Sequence, residues 1–271
     1  MSNLLPRERL AAFRDPRLRY TVSGRRLRPD LGLAEYLQVQ YVFVPPGQIE
    51  SVYGSTACPS PLYGGRTWKP EKSFQPDHLA WLEAQGIGVA LTLTNHFFDA
   101  ASYEATRPLL DRLHRPGNSL ILLNDELARQ ARRDFPAFTL KASVLKNLDT
   151  PERVARALEL YDLAVVPMEC NEDEAFLEAL PDKARVILFA NGTCAYNCPA
   201  RTCYLGFSQA NQGRPVTLGC SQDHLPREDP GEVFFDVGRF ADMGFRLLKL
   251  VPLRSFFREE AMRRLSGLRR R

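Results

Sequence analysis

Apolar positions along the chain fall into short, almost unbroken runs, separated by stretches in which they recur at helical spacing. The first run is LQVQYVFVP (37–45), rich in β-branched and aromatic residues, and it predicts a strand. After a Gly/Pro-rich connection over 46–77, HLAWLEAQ (78–85) predicts a helix, ended by Gly86, the residue type favoured just past a helix terminus. The alternation then repeats. GVALTLTN, SLILLND, FTLKASVL, DLAVVPM and RVILFAN predict strands, and YEATRPLLDRLH, ELARQARRDF and NEDEAFLEAL predict helices. Thr150 and Pro151 mark the N-cap and first position of one more helix. VGRFADMGF predicts a helix, RLLKLVP a strand and FREEAMRRLSGL a closing amphipathic helix.

Nearly all-apolar strands alternating with amphipathic helices imply a parallel sheet covered by helices. Seven strands are legible, with an eighth in VTLGC (216–220) or EVFFDV (232–237). The expected fold is a single-domain (β/α)8 TIM-like barrel over 37–271, preceded by an N-terminal extension (1–36). A cysteine-rich insertion (191–224) follows the sixth expected strand. An open doubly wound sheet is the alternative, weakened because no G-x-G-x-x-G follows a strand.

Composition agrees with a globular chain: 271 residues, 44% hydrophobic and 25% charged, long enough to bury a core without disulfide or metal support. The formal charge of +4 is a mild excess, far below the basic stripe of a dedicated nucleic-acid binder. Charges interrupt the first residues where a secretory apolar region would be continuous, and no apolar run is long enough to span a membrane. The expected compartment is therefore the cytoplasm, where thiols stay reduced and six cysteines read as ligands, nucleophiles or small core residues.

In a barrel, chemistry gathers at the C-terminal ends of the strands. Those expected ends carry Asn95 and His96, Asn124 and Asp125, Lys146 and Asn147, Glu169 and Asn171, then Asn191, with Lys249 in the last strand. Asn95, His96, Asn191 and Lys249 are the catalytic candidates, and Asn124 and Asn171 substrate-binding ones. The plain alternative for each asparagine is a helix cap or turn, and for His96 a hydrogen-bonded filler. The connection 46–77 is too long for an idle turn. Arg66 in its YGGR stretch is a candidate for gripping an anion bidentately, against the alternative of ordering its own loop.

The sharpest signal is FANGTCAYNCPARTCYLGFSQANQGRPVTLGC. It places Cys194, Cys198, Cys203 and Cys220 within 27 residues in the spacing C-x3-C-x4-C-x16-C. Thiolates suit iron–sulfur clusters, zinc or cuprous ion. Structural zinc favours paired knuckles, and only Cys194/Cys198 form one, whereas iron–sulfur clusters tolerate irregular spacing. The metal expected at these four residues is thus a 4Fe–4S cluster, with zinc as the alternative. Cys58 and Cys170 read more simply as small buried residues.

NGTCAYNCPARTCY, followed by Cys220 and by FFDVGRFADMGFRLLKL with Gly244 and Lys249, resembles the U32 (collagenase-like) peptidase family and its relatives. The resemblance spans roughly 37–260, with its specific motifs confined to 191–220 and 239–250. It implies a barrel, places Cys194, Cys198 and Cys220 at family ligand positions, and admits oxygen-independent hydroxylation as well as peptidase activity. No G-x-S-x-G elbow or H-E-x-x-H helix supports hydrolysis. The expectation is an iron–sulfur barrel enzyme acting at the mouth on a small molecule or nucleobase, of redox or oxygen-atom-transfer type. The alternatives are a metal-ordered partner subunit docking a protein or a second copy, an RNA-modifying enzyme, and a peptidase-like hydrolase.

Overall fold

In a computed structural model that describes residues 7–24, 32–193, 198, 202–220 and 233–252, one strand closes the sheet. That strand, β1 (Arg19–Ser23), pairs in parallel with β2 (Ile49–Gly54) on one side and with β10 (Leu247–Leu250) on the other. Between them run β3 (Gly88–Leu93), β4 (Ser119–Leu122), β5 (Thr139–Ala142), β6 (Leu163–Val165) and β7 (Val186–Phe189). The order β1-β10-β7-β6-β5-β4-β3-β2 is closed, which is the expected (β/α)8 barrel. A separate antiparallel pair, β8 (Asn191–Gly192) with β9 (Val233–Phe234), sits beyond β7.

The expected strand at 37–45 is not formed. Leu33–Gln40 is a helix, α2, because Leu33, Tyr36 and Leu37 recur at helical spacing and bury one face. Residues 41–45 turn back over β1, and the Tyr36 and Tyr41 hydroxyls both donate to the Ser23 carbonyl at 2.7 Å. The barrel accordingly starts at Arg19, inside the segment expected to precede it. Neither 216–220 nor 232–237 supplies a barrel strand, since Val233–Phe234 pairs outside the barrel. Counted from β1, the strand before the cysteine-rich segment is the seventh.

The remaining expected strands and helices form, with α3 (Pro76–Ala84), α4 (Ala100–Leu113), α5 (Asp125–Asp134), α6 (Pro151–Leu158) and α7 (Glu174–Ala179) following their strands. Gly86 has φ +67°, as its place past α3 requires. The junctions are capped by short polar side chains. Asp99 accepts from the Ser102 amide, Asn124 from Glu126 and Leu127, Thr150 from Arg153, and Asp173 from Phe176. A helix α9 (Val237–Asp242) precedes β10 as expected, whereas the expected helix over 257–268 lies outside the described residues.

Strand alternation sorts the two faces of the sheet. Val89, Leu91 and Leu93 of β3, Leu120 and Leu122 of β4, and Leu248 and Leu250 of β10 face the helices and join the main core. Each such buried side chain contributes about 1.5–3 kcal/mol. The interior is more polar. Ser51 donates to Thr21 at 2.9 Å, and Lys141, 2% exposed, reaches Glu50 at 3.1 Å. Above them Tyr53, Ala90 and Ile121 form a small cluster of their own. No helix among the described residues is long and apolar enough to cross a membrane.

The Lys141–Glu50 pair is asymmetric, because the amine is buried while Glu50 keeps about a third of its surface in water (37%). Glu50→Ala strands a buried ammonium and is expected to destabilise by about 3 kcal/mol. Lys141→Met replaces it with an apolar stem of similar volume and is expected to cost less. Urea unfolding of both variants checks the order, and a larger loss for Lys141→Met would contradict it.

Candidate functional site

At the C-terminal end of the barrel a cavity of about 530 Å³ opens between the strand ends and a helix laid across them, α8 (Cys203–Asn211). Ser23, Tyr53, Thr92, Ile121, Phe189 and Lys249 rise into it from the strands. Ser143 and Met168 follow β5 and β6, and the β2–α3 connection adds Tyr63 through Lys69 together with Lys72 and Ser73. Tyr204 and Phe207 of α8 form the opposite wall.

Two asparagines fasten this roof. The Asn95 amide, buried after β3, donates to the carbonyls of Pro61 (2.9 Å), Tyr63 (3.1 Å) and Ser208 (2.9 Å). Its side-chain oxygen accepts from the Phe97 amide at 2.9 Å. One side chain thereby joins a strand end, the long connection and α8. Asn211 accepts from the Trp68 amide at 2.7 Å and donates to the carbonyls of Tyr63 and Arg66. The connection lies hard against β3: a Cβ on Gly64 would stand 2.3 Å from the Thr94 carbonyl, and Gly65 has φ +75°, so both positions demand glycine.

His96 does not enter the cavity. Its Nδ1 lies 2.9 Å from the Ser208 Oγ, which donates in turn to the Tyr204 carbonyl, so the imidazole clamps α8. The ring is partly desolvated against α8, and this lowers its pKa from the usual histidine range, although the residue keeps exposed surface. Tyr63, stacked on Trp68 with centroids 6.4 Å apart, is pushed up to about 12 by burial and stays a neutral phenol at ordinary pH.

Of the expected site residues that are described, only Arg66 and Lys249 line the cavity. Asn124 caps α5. Asn171 donates to the Phe189 carbonyl at 2.6 Å and lies outside the lining, and Asn191 donates to the Val251 carbonyl and accepts its amide, tying β8 to the chain leaving β10. Asn95 and His96 are thus fasteners in this geometry and do not face the cavity. The neighbouring Asp125 is held below the usual carboxylate range: burial alone would raise it, and hydrogen bonds from Lys146 and Tyr161 outweigh that. Cys203 opens α8 and is partly buried, as is Cys198, while Cys220 is exposed and Cys194 lies outside the described residues. Among the described residues no three His, Cys, Asp or Glu side chains gather to hold a metal. Cys58 meets the Arg112 guanidinium at 3.2 Å, and Cys170 is buried in the core.

The lining residues that sequence reading passed over, Tyr53, Trp68, Lys69, Lys72, Tyr204 and Phe207, share one signal. The first lies at the end of a strand hidden inside the Gly/Pro-rich connection, the next three in that connection, and the last two beside the cysteines.

No family model and no curated protein matches the chain. Among solved structures it is similar to the U32 peptidase Mk0906, with a TM-score of 0.57 at 15% identity over 88% of this chain and 94% of that one. A glycerophosphodiester phosphodiesterase from Agrobacterium tumefaciens str. C58 follows at a TM-score of 0.39 and 10% identity, covering 86% and 94%. The likeness to Mk0906 is one of barrel fold.

Asn95→Ala leaves three carbonyls short of a donor and is expected to destabilise by about 2–3 kcal/mol. Hydrogen exchange should rise first in α8 and residues 61–66, and exchange rising instead in the barrel strands would refute the fastening role. Because the folded-state pKa of His96 lies below its unfolded value, the unfolded chain binds more protons. The contribution of His96 is therefore complete above about pH 6.5 and falls as pH drops through the folded value. A melting-temperature profile from pH 8 to 5 should flatten in His96→Gln, and an unchanged profile would refute the assignment.

Proposed function

We propose that the protein is a barrel enzyme that takes an anionic small molecule into the C-terminal mouth. One observation carries this reading: Arg66, Lys69, Lys72 and Lys249 line the cavity, and no Asp, Glu or His stands among its described lining residues. A concave, partly apolar site lined by one sign of charge concentrates ions of the other sign. Arg66 offers a fork suited to carboxylate or phosphate. The aromatic walls, Tyr53, Trp68, Phe189, Tyr204 and Phe207, suit the apolar body of the same ligand. Among the described lining residues the serine and threonine hydroxyls stand without a histidine or carboxylate in the same lining.

The iron–sulfur reading rests on a separate observation. Cys203 opens the helix whose next turn, with Tyr204 and Phe207, walls the cavity, so the cysteine-rich segment borders the mouth. The described donors do not by themselves make a complete ligand set, and no step proposed for the cavity passes through a cluster.

Calorimetric titration with inorganic phosphate and with citrate tests the first reading. Arg66→Ala and Lys249→Met are each expected to weaken binding about tenfold or more, the loss of one charge-assisted hydrogen bond. Equal affinity in both variants would refute it. Iron and sulfide analysis after anaerobic purification tests the second. Cys198→Ala should abolish metal loading, and unchanged metal content in that variant would remove Cys198 from the ligands.

A further inference from the structure

Several hydroxyls of the mouth are engaged within the protein. Thr92 Oγ1 donates to the Gly54 carbonyl at 3.1 Å, Ser55 and Ser73 pair at 2.8 Å, and the Ser143 Oγ accepts from the Leu145 amide at 3.2 Å. Thr94 differs. It directly follows β3, where Val89, Leu91 and Leu93 face the helices, so alternation turns its side chain to the barrel interior, and it lines the cavity. It is 3% exposed, and its Oγ1 meets no hydrogen-bond partner among the described residues. A buried hydroxyl in that state has given up hydration without a replacement, and a polar group brought in by a ligand supplies one.

Thr94 also lies under the stretch that carries the arginine. A Cβ on Gly64 would stand 2.3 Å from the Thr94 carbonyl, and the next residue, Asn95, donates its backbone amide to the Leu62 carbonyl at 3.1 Å. Arg66 is two residues beyond Gly64, so its backbone lies within about 7 Å of that glycine. The hydroxyl and the guanidinium therefore serve one corner of the cavity, joined there by Lys69 and Lys72 of the same connection. Three cations on one connection suit a doubly charged group better than a single carboxylate, and a phosphate monoester approaches that charge at neutral pH. The cavity, about 530 Å³, has room for a body attached to that group.

We propose that the anion taken at this mouth is the phosphate monoester of a small polyol, a sugar phosphate in chemical class, and that Thr94 is a specificity-determining residue for it. The proposal rests on the reading of the mouth as an anion site and deepens it. Arg66, Lys69 and Lys72 hold the phosphate, and Thr94 Oγ1 exchanges a hydrogen bond with a ligand hydroxyl close to it. A ligand hydroxyl can donate or accept, as threonine can, so the pair forms whichever way the Thr94 proton points. An alkyl phosphate of the same length fills similar space and leaves the threonine unpaired. A site whose buried polar group is left without its partner discriminates against such an analogue.

Calorimetric titration of the full chain with D-ribose 5-phosphate and with n-pentyl phosphate tests the assignment. Ribose 5-phosphate is expected to bind tighter by about fivefold or more, the worth of one hydrogen bond. Thr94→Val removes the hydroxyl at nearly constant volume. It should weaken ribose 5-phosphate by about fivefold or more and leave n-pentyl phosphate within about twofold of the parent, whereas Thr94→Ser should keep the preference. Arg66→Ala should weaken both esters alike. Thr94→Val binding both esters as the parent does would overturn the proposal, and so would equal or tighter binding of n-pentyl phosphate by the parent. In either case inorganic phosphate that still binds leaves the anion site standing. If neither the esters nor inorganic phosphate bind, both readings fall. Should Thr94→Val fail to fold, the parent's preference between the two esters decides.

Discussion

Closure of a parallel sheet through a single five-residue strand is the constraint on which the rest of the molecule depends. β1 must satisfy a neighbour on each edge, β2 and β10, and its register with β10 sets Thr21 beside Lys249. A parallel sheet left open would present two unpaired edges and let water reach its interior face. Closed, it encloses a polar interior in which a lysine can sit on the cavity floor among aromatic rings. Tyr36 and Tyr41, by donating to the Ser23 carbonyl, fix the end of that strand where the cavity begins.

The same strand marks the boundary of what the sequence disclosed. From residue 76 to 189 each expected strand and helix forms, because each strand is rich in apolar residues, α3 opens with a proline and α4 to α7 each open with an Asp, Asn or Thr cap that leaves a visible mark. Upstream the signal inverted. RYTVS carries only two strongly apolar residues that face the helices, and IESVYG hides in a segment read as irregular. Meanwhile LQVQYVFVP, the most strand-like run of the chain, spends its aromatic residues on a helix end and a turn. Tertiary packing overrode local propensity there.

The candidate site was legible in part and for a physical reason. Of the ring of asparagines expected at strand ends, Asn95, Asn124, Asn171 and Asn191 bond to backbone. One amide with two N–H groups and one acceptor serves chain crossings well, and periodicity cannot distinguish that from a side chain turned toward a ligand. Lys249 and Arg66 were legible because a cation within an apolar strand, or in a glycine-rich loop, has few structural reasons to be there. The aromatic wall from α8 was not, because it depends on how the segment after β7 folds back across the barrel.

That fold-back gives the mouth a composite frame. Asn211 joins α8 to the backbone of Tyr63, Arg66 and Trp68, so the stretch presenting the arginine and the helix entered through Cys203 move as one piece. The width of the opening is thereby governed from outside the barrel. A displacement of α8 would be felt at the backbone of Arg66 through the Asn211 carboxamide and at the end of β3 through that of Asn95.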